Sequence, residues 1–312
     1  MSARYPRTVL ATCCLPWRED GKLDEPLFRR TVRKLVAAGL IDLYVFGTAG
    51  EGHAVGEADF RRVVEAFAEE MRAAGGRPMV GIINLSLPTI LERIAFAAGL
   101  GVTTFQVSLP SWGTLNDREL ARFFAEICGA FPDLSFLHYN LMRTGRLVRP
   151  QQYAELAAAH PNLVATKYGA GDPETVAGLL RYAPELRHFF TELGFYLGAP
   201  LGDCGLLASI AASNPARARE YFRAGVDRDA PRLLDLYRDL AGMMDAIRRA
   251  AGGIGLTDGA YDKIIAKVSE PEFPLRLLSP YQGGTEEGYR SYVAELAERF
   301  PRWLPETNSF SK

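Results

Sequence analysis

The 312-residue sequence has no dominant charge. Its 36 lysines and arginines nearly balance 37 aspartates and glutamates, which leaves a formal net charge of −1, and no run of one charge sign is longer than a few residues. Proteins that bind nucleic acids through a broad positive field need a clustered excess of basic residues. We therefore expect no nucleic-acid partner.

Long hydrophobic runs are also absent, although 48% of the residues are hydrophobic. A membrane-spanning helix needs about 18 or more consecutive apolar residues, and no stretch of the chain approaches that length. The first residues lead directly into a strand-like run, without the apolar core of a signal peptide. We expect a cytoplasmic protein that does not contact a membrane.

Cysteine and histidine are scarce, with four residues of each. Cys13 and Cys14 are adjacent, so they point to opposite faces of a strand, and no Cys-x-x-Cys pair occurs. Reduced, buried thiols are therefore expected rather than a disulfide framework. The histidines are scattered and lack the spacing typical of metal ligands, so we expect no metal site.

Short apolar runs alternate with amphipathic helical patterns over residues 1–225, in about eight strand–helix units. The strand-like runs are continuously apolar, which suits a parallel sheet covered on its outer face. This alternation predicts an α/β fold, a (β/α)₈ TIM barrel. Only helical patterns follow Gly225. We predict a catalytic barrel domain at 1–225 and a C-terminal helical extension at 226–312.

One predicted strand ends in a lysine. The segment 163–172 reads as a short buried strand that reaches Lys167 and then breaks at Gly169 and Gly171. In a TIM barrel, the C-terminal strand ends carry the chemistry. A buried lysine has a lowered pKa, and its neutral amine can attack a carbonyl carbon. The alternative is a lysine that reaches solvent or pairs with a carboxylate.

In a TIM barrel, the C-terminal ends of the other strands lie at the same mouth as Lys167. The side chains there are Thr12, Thr48, Asn84, Ser108, Tyr139, Glu192 and Ser209. A lysine, a tyrosine and a threonine in one mouth can form an amine with a proton relay. The turn at residues 47–52, called the glycine turn below, can present backbone N–H groups that bind a carboxylate. The alternative is that the glycine turn is an ordinary loop. A dinucleotide site is not indicated, because the order of the glycines is G-x-x-G-x-G and not G-x-G-x-x-G.

Three motifs occur in one order: Gly47-Thr-Ala-Gly-Glu51, then Tyr139-Asn140, then Lys167 with Gly-x-Gly-Asp172. Together they resemble the dihydrodipicolinate synthase / N-acetylneuraminate lyase family, and the likeness extends over nearly the whole chain. The resemblance implies a class I aldolase or lyase that forms a Schiff base with a small-molecule 2-keto acid such as pyruvate. It also implies that no cofactor is needed, and that the chain forms a homotetramer or homodimer.

The resemblance assigns roles to the inner half of the site. Lys167 would form the imine, Tyr139 would move protons and orient the substrate carboxylate, and Thr48 would hydrogen-bond to Tyr139. The backbone N–H groups of Thr48 and Ala49 would hold the carboxylate, with Gly50 in the same turn. No metal is implied, because the imine acts as the electron sink.

The outer half of the site departs from the family. Leu207 stands where the family lines the keto-acid pocket, and Glu192 ends a strand at the same mouth. Trp112 stands near the position of a relay tyrosine, and an indole cannot pass protons as a phenol can. Leu141-Met142 shortens the loop before Arg143, which leaves open whether Arg143 reaches the site. We predict Trp112 and Arg143 as further substrate-binding residues.

We therefore expect an aldolase or lyase that acts on pyruvate or a 4-hydroxy-2-keto acid. Two enzymatic alternatives stay open. One is an authentic dihydrodipicolinate synthase that joins pyruvate to aspartate semialdehyde, and the other is a dehydratase of a keto-deoxy sugar acid. A non-catalytic barrel that senses a keto acid is the third alternative. The pair of Lys167 and Tyr139 argues against a sensor, because binding alone does not need an amine.

Overall fold

The computed structural model describes residues 3–252 and 255–305, and within them eight parallel strands close into a barrel. The strands are β1 (Val9–Thr12), β2 (Asp42–Val45), β3 (Arg77–Ile82), β4 (Thr104–Val107), β5 (Ser135–Asn140), β6 (Leu163–Tyr168), β7 (Arg187–Phe190) and β8 (Gly205–Ala208). Each strand pairs with the next one, and β8 closes the barrel on β1. The predicted TIM barrel is therefore confirmed.

Within the described residues an α-helix follows each strand, and three further α-helices come after the barrel. The barrel helices are α1 (Glu25–Ala37), α2 (Glu57–Ala73), α3 (Leu87–Gly99), α4 (Asp117–Ala130), α5 (Pro150–Ala159), α6 (Pro173–Tyr182), α7 (Glu192–Gly198) and α8 (Pro215–Val226). The C-terminal helices are α9 (Ala230–Ala250), α10 (Asp258–Ser269) and α11 (Glu286–Arg299). The predicted C-terminal helical extension is present.

Side-chain caps explain where several helices begin. The Asp172 carboxylate accepts a hydrogen bond from the backbone N–H of Thr175, and Pro173 then opens α6. A proline is well placed there because its missing N–H would have no helical partner. Asn116 caps α4, and Glu119 bonds back to the Asn116 backbone in a capping box.

Apolar side chains form two layers on either side of the barrel wall. The larger layer lies between the strands and the outer helices. The smaller layer fills the barrel interior, and it includes Leu10, Tyr44, Met79, Leu137, Ala165, Phe189 and Leu207. Because side chains alternate along a strand, Ala165 and Lys167 share the interior face of β6, and Lys167 is only 3% exposed.

The C-terminal helices pack directly on the barrel. Helix α9 lies against α7, α8 and α11. Helix α10 reaches the mouth, where Gly259 packs so closely that an added Cβ would lie 3.2 Å from the Ala49 carbonyl oxygen. The division of the chain into 1–225 and 226–312 stays a prediction, and it falls at the last residue of α8.

The other expectations from composition concern membranes and thiols. No helix in residues 3–252 and 255–305 combines the length and the apolarity needed to cross a membrane. All four cysteines are buried and free. Burial raises the pKa of the Cys13 thiol well above its ordinary value, so this thiol stays protonated at neutral pH.

Candidate active site

A cavity of about 640 Å³ opens at the C-terminal ends of the strands, and we call it the substrate cavity. It extends from the barrel interior to the surface of α9 and α10. Its inner wall contains Tyr44, Ala49, Tyr139, Lys167, Glu192, Leu207, Ser209, Asp258 and Asp262. Strand ends far apart in sequence and one C-terminal helix thus meet around a single lysine.

Lys167 lies at the bottom of the substrate cavity, opposite Tyr139 in the register of β5 and β6. Its Nζ atom is 3.9 Å from the centroid of the Tyr139 ring and 4.3 Å from that of the Tyr44 ring. It donates hydrogen bonds to the Tyr44 hydroxyl at 3.1 Å and to Gln106 Oε1 at 3.2 Å. The amine is therefore oriented by neutral groups.

The surroundings of Lys167 make its amine nucleophilic near neutral pH. Burial lowers the pKa of Lys167 to about 7, although the negative charges of Asp258 and Asp262 act in the opposite direction. A large fraction of the amine is therefore neutral at pH 7, whereas an exposed lysine would be almost wholly protonated.

Tyr139 is placed to hold a proton. Its hydroxyl lies 3.4 Å from Thr48 Oγ1, which donates to it. Burial, with the charge of Asp258, raises the pKa of Tyr139 to about 12, and the hydrogen bond from Thr48 reduces this rise. Tyr139 is therefore protonated at neutral pH and can act as a donor. The contact between Thr48 and Tyr139 has the geometry expected from the sequence.

The glycine turn forms the wall beside the amine. A Cβ on Gly47 would lie 2.6 Å from the Tyr44 ring and 3.1 Å from Lys167 Nζ, so any side chain there would crowd the nucleophile. Ala49 lines the substrate cavity. Gly50 packs against the backbone of Phe46 and shapes the turn rather than the cavity wall. Carboxylate binding by the turn stays a prediction.

A buried ion pair fixes the glycine turn to α10. Lys263 Nζ lies 2.6 Å from Glu51 Oε1, and both side chains are at most 1% exposed. Trp17 Nε1 donates to the same oxygen, and the Leu278 N–H donates to the other one. These bonds satisfy a carboxylate that would otherwise be costly to bury.

Two predicted residues lie further from the amine. Trp112 is 91% exposed and is not among the residues that line the substrate cavity. Within one chain, it is therefore not placed to contact a substrate in that cavity. Arg143 forms a two-bond ion pair with Asp258, at 2.9 and 3.0 Å. It lines a second cavity of about 550 Å³, together with Thr48 and His53.

Leu207 and Glu192 both line the substrate cavity. Leu207 lies in the apolar layer inside the barrel. Glu192 begins α7, and its Oε1 atom accepts a hydrogen bond from the Ser209 backbone N–H at 3.2 Å. Burial raises the pKa of Glu192 above its ordinary value.

Several polar residues of the site were not predicted from the sequence. Asp262 on α10 is only 5% exposed, and it lines the substrate cavity with Asp258. Burial raises the pKa of Asp262 to about 7, a hydrogen bond with Ser209 opposes this rise, and the charges of Asp258 and Glu192 add to it. Tyr44 and Gln106, the two partners of Lys167, were also missed. The sequence signal that could have identified these residues is a polar side chain inside an apolar strand, as for Tyr44 and Gln106, or on the buried face of a helix, as for Asp262.

The donors in the described part of the chain do not form a metal site. No group of three or more histidines, cysteines, aspartates or glutamates there is arranged to hold a metal ion. What the arrangement offers is a neutral amine, a phenol and a set of buried carboxylates around one cavity, which suits nucleophilic addition with proton transfer.

Comparison with known proteins gives a consistent result. The Dihydrodipicolinate synthetase family matches residues 5–249. A 4-hydroxy-tetrahydrodipicolinate synthase of Thermus thermophilus is 32% identical over 201 residues, which span 64% of this chain and 66% of that relative, just under two thirds of its length. A protein of the same name from Acidobacterium capsulatum is 27% identical, over 90% of this chain and 92% of the relative.

Solved structures show the same fold. YagE of E. coli K12, a prophage protein of the dihydrodipicolinic acid synthase family in complex with pyruvate, matches with a TM-score of 0.84 and 16% identity, over 94% of this chain and 98% of that one. CdNal of Clostridium difficile, in complex with mannosamine, matches with a TM-score of 0.82 and 17% identity, over 94% and 98%. At these identities the likeness establishes the fold alone.

Proposed function

Because this chain belongs to the dihydrodipicolinate synthetase family, we propose that it is a class I aldolase or lyase that forms an imine on Lys167. Its substrate is pyruvate or a 4-hydroxy-2-keto acid. The observation that carries this proposal is the buried Lys167 amine, whose pKa is lowered to about 7 beside Tyr139 and the glycine turn.

The first steps follow from the positions of Lys167 and Tyr139. The neutral amine adds to the keto carbon. Tyr139 gives a proton to the oxygen that becomes the hydroxyl of the carbinolamine, and its phenolate then takes the proton that the nitrogen loses. Tyr139 gives this proton to the hydroxyl, which leaves as water, and an iminium ion remains on Lys167. The substrate carboxylate binds the backbone N–H groups of Thr48 and Ala49. Thr48 keeps the Tyr139 hydroxyl in place.

The iminium ion then acts as an electron sink. When the bond between carbons 3 and 4 breaks, its electron pair forms an enamine and neutralises the nitrogen, while carbon 4 leaves as an aldehyde. Protonation of carbon 3 and hydrolysis of the imine release pyruvate and restore the amine. The reverse sequence joins pyruvate to an aldehyde.

A 4-hydroxy-tetrahydrodipicolinate synthase is the second candidate, since the curated relatives carry that name. The charged residues around the substrate cavity favour an aldehyde other than aspartate semialdehyde. Arg143, a cation that could bind a second carboxylate, is paired with Asp258. The substrate cavity is lined by four acidic residues, Glu192, Asp245, Asp258 and Asp262, and by Arg248. Acidic side chains outnumber Arg248 there, so an aldehyde that carries a negative charge would bind less favourably than a neutral one.

We also propose a cellular location and an oligomeric state for the enzyme. We place it in the cytoplasm as a homotetramer or homodimer that binds a small-molecule substrate. Large exposed apolar side chains in the loops that follow three neighbouring strands, β3, β4 and β5, support assembly. They are Leu85, Trp112 and Met142, which are 55%, 91% and 66% exposed.

The function is tested by assaying pyruvate release from 4-hydroxy-2-keto acids and the condensation of pyruvate with aspartate semialdehyde. Lys167→Met should lower every activity by at least about 10³-fold, since the nucleophile is lost. Lys22→Met, which removes an exposed lysine, is the control and should act like the wild type. A Lys167→Met enzyme that keeps its activity would refute the imine mechanism. Efficient condensation with aspartate semialdehyde would favour the second candidate.

A further inference from the structure

We propose that Tyr44 and Gln106 are positioning residues for the nucleophile. They accept the two hydrogens of the neutral Lys167 amine, so that its lone pair faces the substrate. This inference rests on the imine function proposed above. It gives a role to two side chains in the barrel interior and leaves proton transfer to Tyr139.

Tyr44, Gln106 and Lys167 come from alternate strands of the barrel. They lie on β2, β4 and β6, and alternate strands contribute the side chains of one interior layer in a TIM barrel. The Nζ atom of Lys167 lies 3.1 Å from the Tyr44 hydroxyl oxygen and 3.2 Å from Gln106 Oε1. Two acceptors on different strands are therefore within hydrogen-bond distance of the one atom that has to attack.

These two contacts fix the direction of the lone pair. A neutral primary amine has two N–H bonds and one lone pair, so when both N–H bonds point at fixed acceptors the lone pair takes the remaining direction. Lys167 is buried except where it lines the substrate cavity, and that remaining direction leads to the substrate. Without the acceptors the amine would rotate about its Cε–Nζ bond, and its lone pair would face the keto carbon only part of the time.

The amide of Gln106 does not improve the packing of the barrel interior. Gln106 is fully buried, and its Nε2 atom has no hydrogen-bond partner among residues 3–252 and 255–305. A buried donor without a partner lowers stability, so a leucine at this position of an apolar strand would suit the fold better. Departures of this kind are expected at functional sites, and the functional contact here is the bond from Lys167 to Oε1.

Tyr44 occupies space that the glycine turn leaves open. A Cβ on Gly47 would lie 2.6 Å from the Tyr44 ring, so only a glycine there lets the ring approach the amine. The Tyr44 side chain is buried, and a buried phenol hydroxyl needs a hydrogen-bond partner, which the Lys167 N–H supplies. A phenylalanine would keep the ring beside Nζ and would lose only the acceptor.

Both acceptors are neutral, which keeps the amine reactive. A carboxylate at the same distance would stabilise the ammonium form and raise the pKa of Lys167. Other titratable groups line the same cavity, namely Tyr139 on β5, Glu192 on α7, and Asp258 and Asp262 on α10. The charges of Asp258 and Asp262 already act against the effect of burial on the pKa of Lys167. Neutral acceptors orient the amine without a further negative charge.

The same contacts serve the imine after it has formed. A protonated imine keeps one N–H on Nζ, and in a buried site this hydrogen needs an acceptor. Tyr44 and Gln106 are both close enough to Nζ to accept it. The N–H then points into the barrel interior, and the plane of the imine is fixed relative to the substrate cavity.

The test compares the wild type with Tyr44→Phe, Gln106→Leu and Gln106→Glu. Tyr5→Phe is the matched control, because the Tyr5 hydroxyl bonds to buried Asp42 at the other end of the barrel interior. Each enzyme is mixed with pyruvate, and borohydride is added at set times to trap the imine for intact-mass measurement. The rate of imine formation is measured as a function of pH and of pyruvate concentration, and urea unfolding gives the stability.

Tyr44→Phe and Gln106→Leu should lower the plateau rate, which is reached where the amine is neutral, by at least about tenfold. The pyruvate concentration at half of the maximal rate should stay within about threefold of the wild type. Gln106→Leu should be at least as stable in urea as the wild type, because it removes the unpaired donor. Gln106→Glu keeps an acceptor, so its plateau should stay within about threefold, but its pH midpoint should rise by about 1–3 pH units. Tyr5→Phe should form the imine at the wild-type rate.

Three results would overturn the positioning role. The first is a plateau rate within about threefold of the wild type in either Tyr44→Phe or Gln106→Leu. The second is a slow Gln106→Leu protein that is also less stable than the wild type, since Gln106 would then be needed for the fold. The third is a Gln106→Glu enzyme whose pH midpoint does not rise. A wild type that pyruvate and borohydride do not label would instead refute the proposed function itself.

Discussion

At the scale of single residues, the site depends on the surroundings of one amine. Lys167 contacts two aromatic rings and two neutral hydrogen-bond partners, while its negative neighbours, Asp258 and Asp262, only partly offset the loss of hydration. The same low dielectric that lowers the pKa of Lys167 raises that of Asp262. An amine and an acid with matched pKa values are therefore found in one cavity.

The first prediction concerns the pH dependence of imine formation in the wild type. Only the neutral amine attacks, so the initial rate of borohydride-dependent labelling by pyruvate should rise about tenfold per pH unit below 7. It should level off above that value, because the pKa of Lys167 is lowered to about 7. Intact-mass measurement of quenched samples gives the rates. A midpoint close to 10.5, the ordinary value for lysine, would mean that Lys167 is solvated and would contradict the burial argument.

The residues found from the sequence are those with a local signal. Lys167 stands where a strand meets two glycines, and Tyr139 stands at another strand end. Asp262 and Gln106 carry only a weaker signal, a polar residue among apolar neighbours, because their role depends on which side of a strand or helix meets the cavity. Trp112 was predicted to bind substrate because of its position in a loop, but its side chain is exposed to solvent in the single chain.

At the scale of elements, α10 connects the C-terminal helices with the barrel mouth. It carries Asp258 and Asp262 into the substrate cavity and holds the glycine turn through Lys263 and Glu51. The strand–helix alternation could be predicted because each unit has its own apolar pattern. The position of α10 could not, since its contact with Glu51 joins residues more than 200 positions apart and needs the closed barrel.

The second prediction tests this connection by Lys263→Met. The change leaves the Glu51 carboxylate buried without its cation, so the free energy of unfolding should fall by about 3–5 kcal/mol. Urea unfolding measures the loss. The double variant Glu51→Gln/Lys263→Met should recover much of it, because neither charge is then buried.

The control for this prediction is the surface ion pair of Arg122 with Glu126, which lies within α4. Arg122→Met should change the free energy of unfolding by less than about 1 kcal/mol, because exposed pairs contribute little. Equal effects of Lys263→Met and Arg122→Met would show that the buried pair does not secure the glycine turn.

At the scale of the whole molecule, the barrel brings eight strand ends to one mouth. The loops after β3, β4 and β5 carry exposed apolar side chains there, and we call these loops the mouth surface. The alternating pattern was enough to predict the closed barrel, because parallel strands with crossover helices have few other solutions. The surface is formed by loops whose lengths and directions no periodicity encodes. Its large exposed members are Leu85, Trp112 and Met142.

The third prediction is that this surface supports assembly. Native mass spectrometry should show a homodimer or homotetramer, and Trp112→Ser should shift the equilibrium toward monomers, because a buried aromatic side chain contributes about 1.5–3 kcal/mol. Exposed Tyr182, on α6, offers a matched change to serine away from the mouth. A monomeric wild type, or a Trp112→Ser protein that assembles as the wild type does, would contradict the proposed interface.

The most direct test of the central claim is the labelling of Lys167 itself. The wild type is incubated with pyruvate and sodium borohydride near pH 8, and its intact mass and peptide map are measured. The imine mechanism predicts one reduced pyruvyl group per chain, located on the peptide that contains Lys167 and absent from Lys167→Met. A chain that gains no mass, or a label that persists in Lys167→Met, would contradict the account.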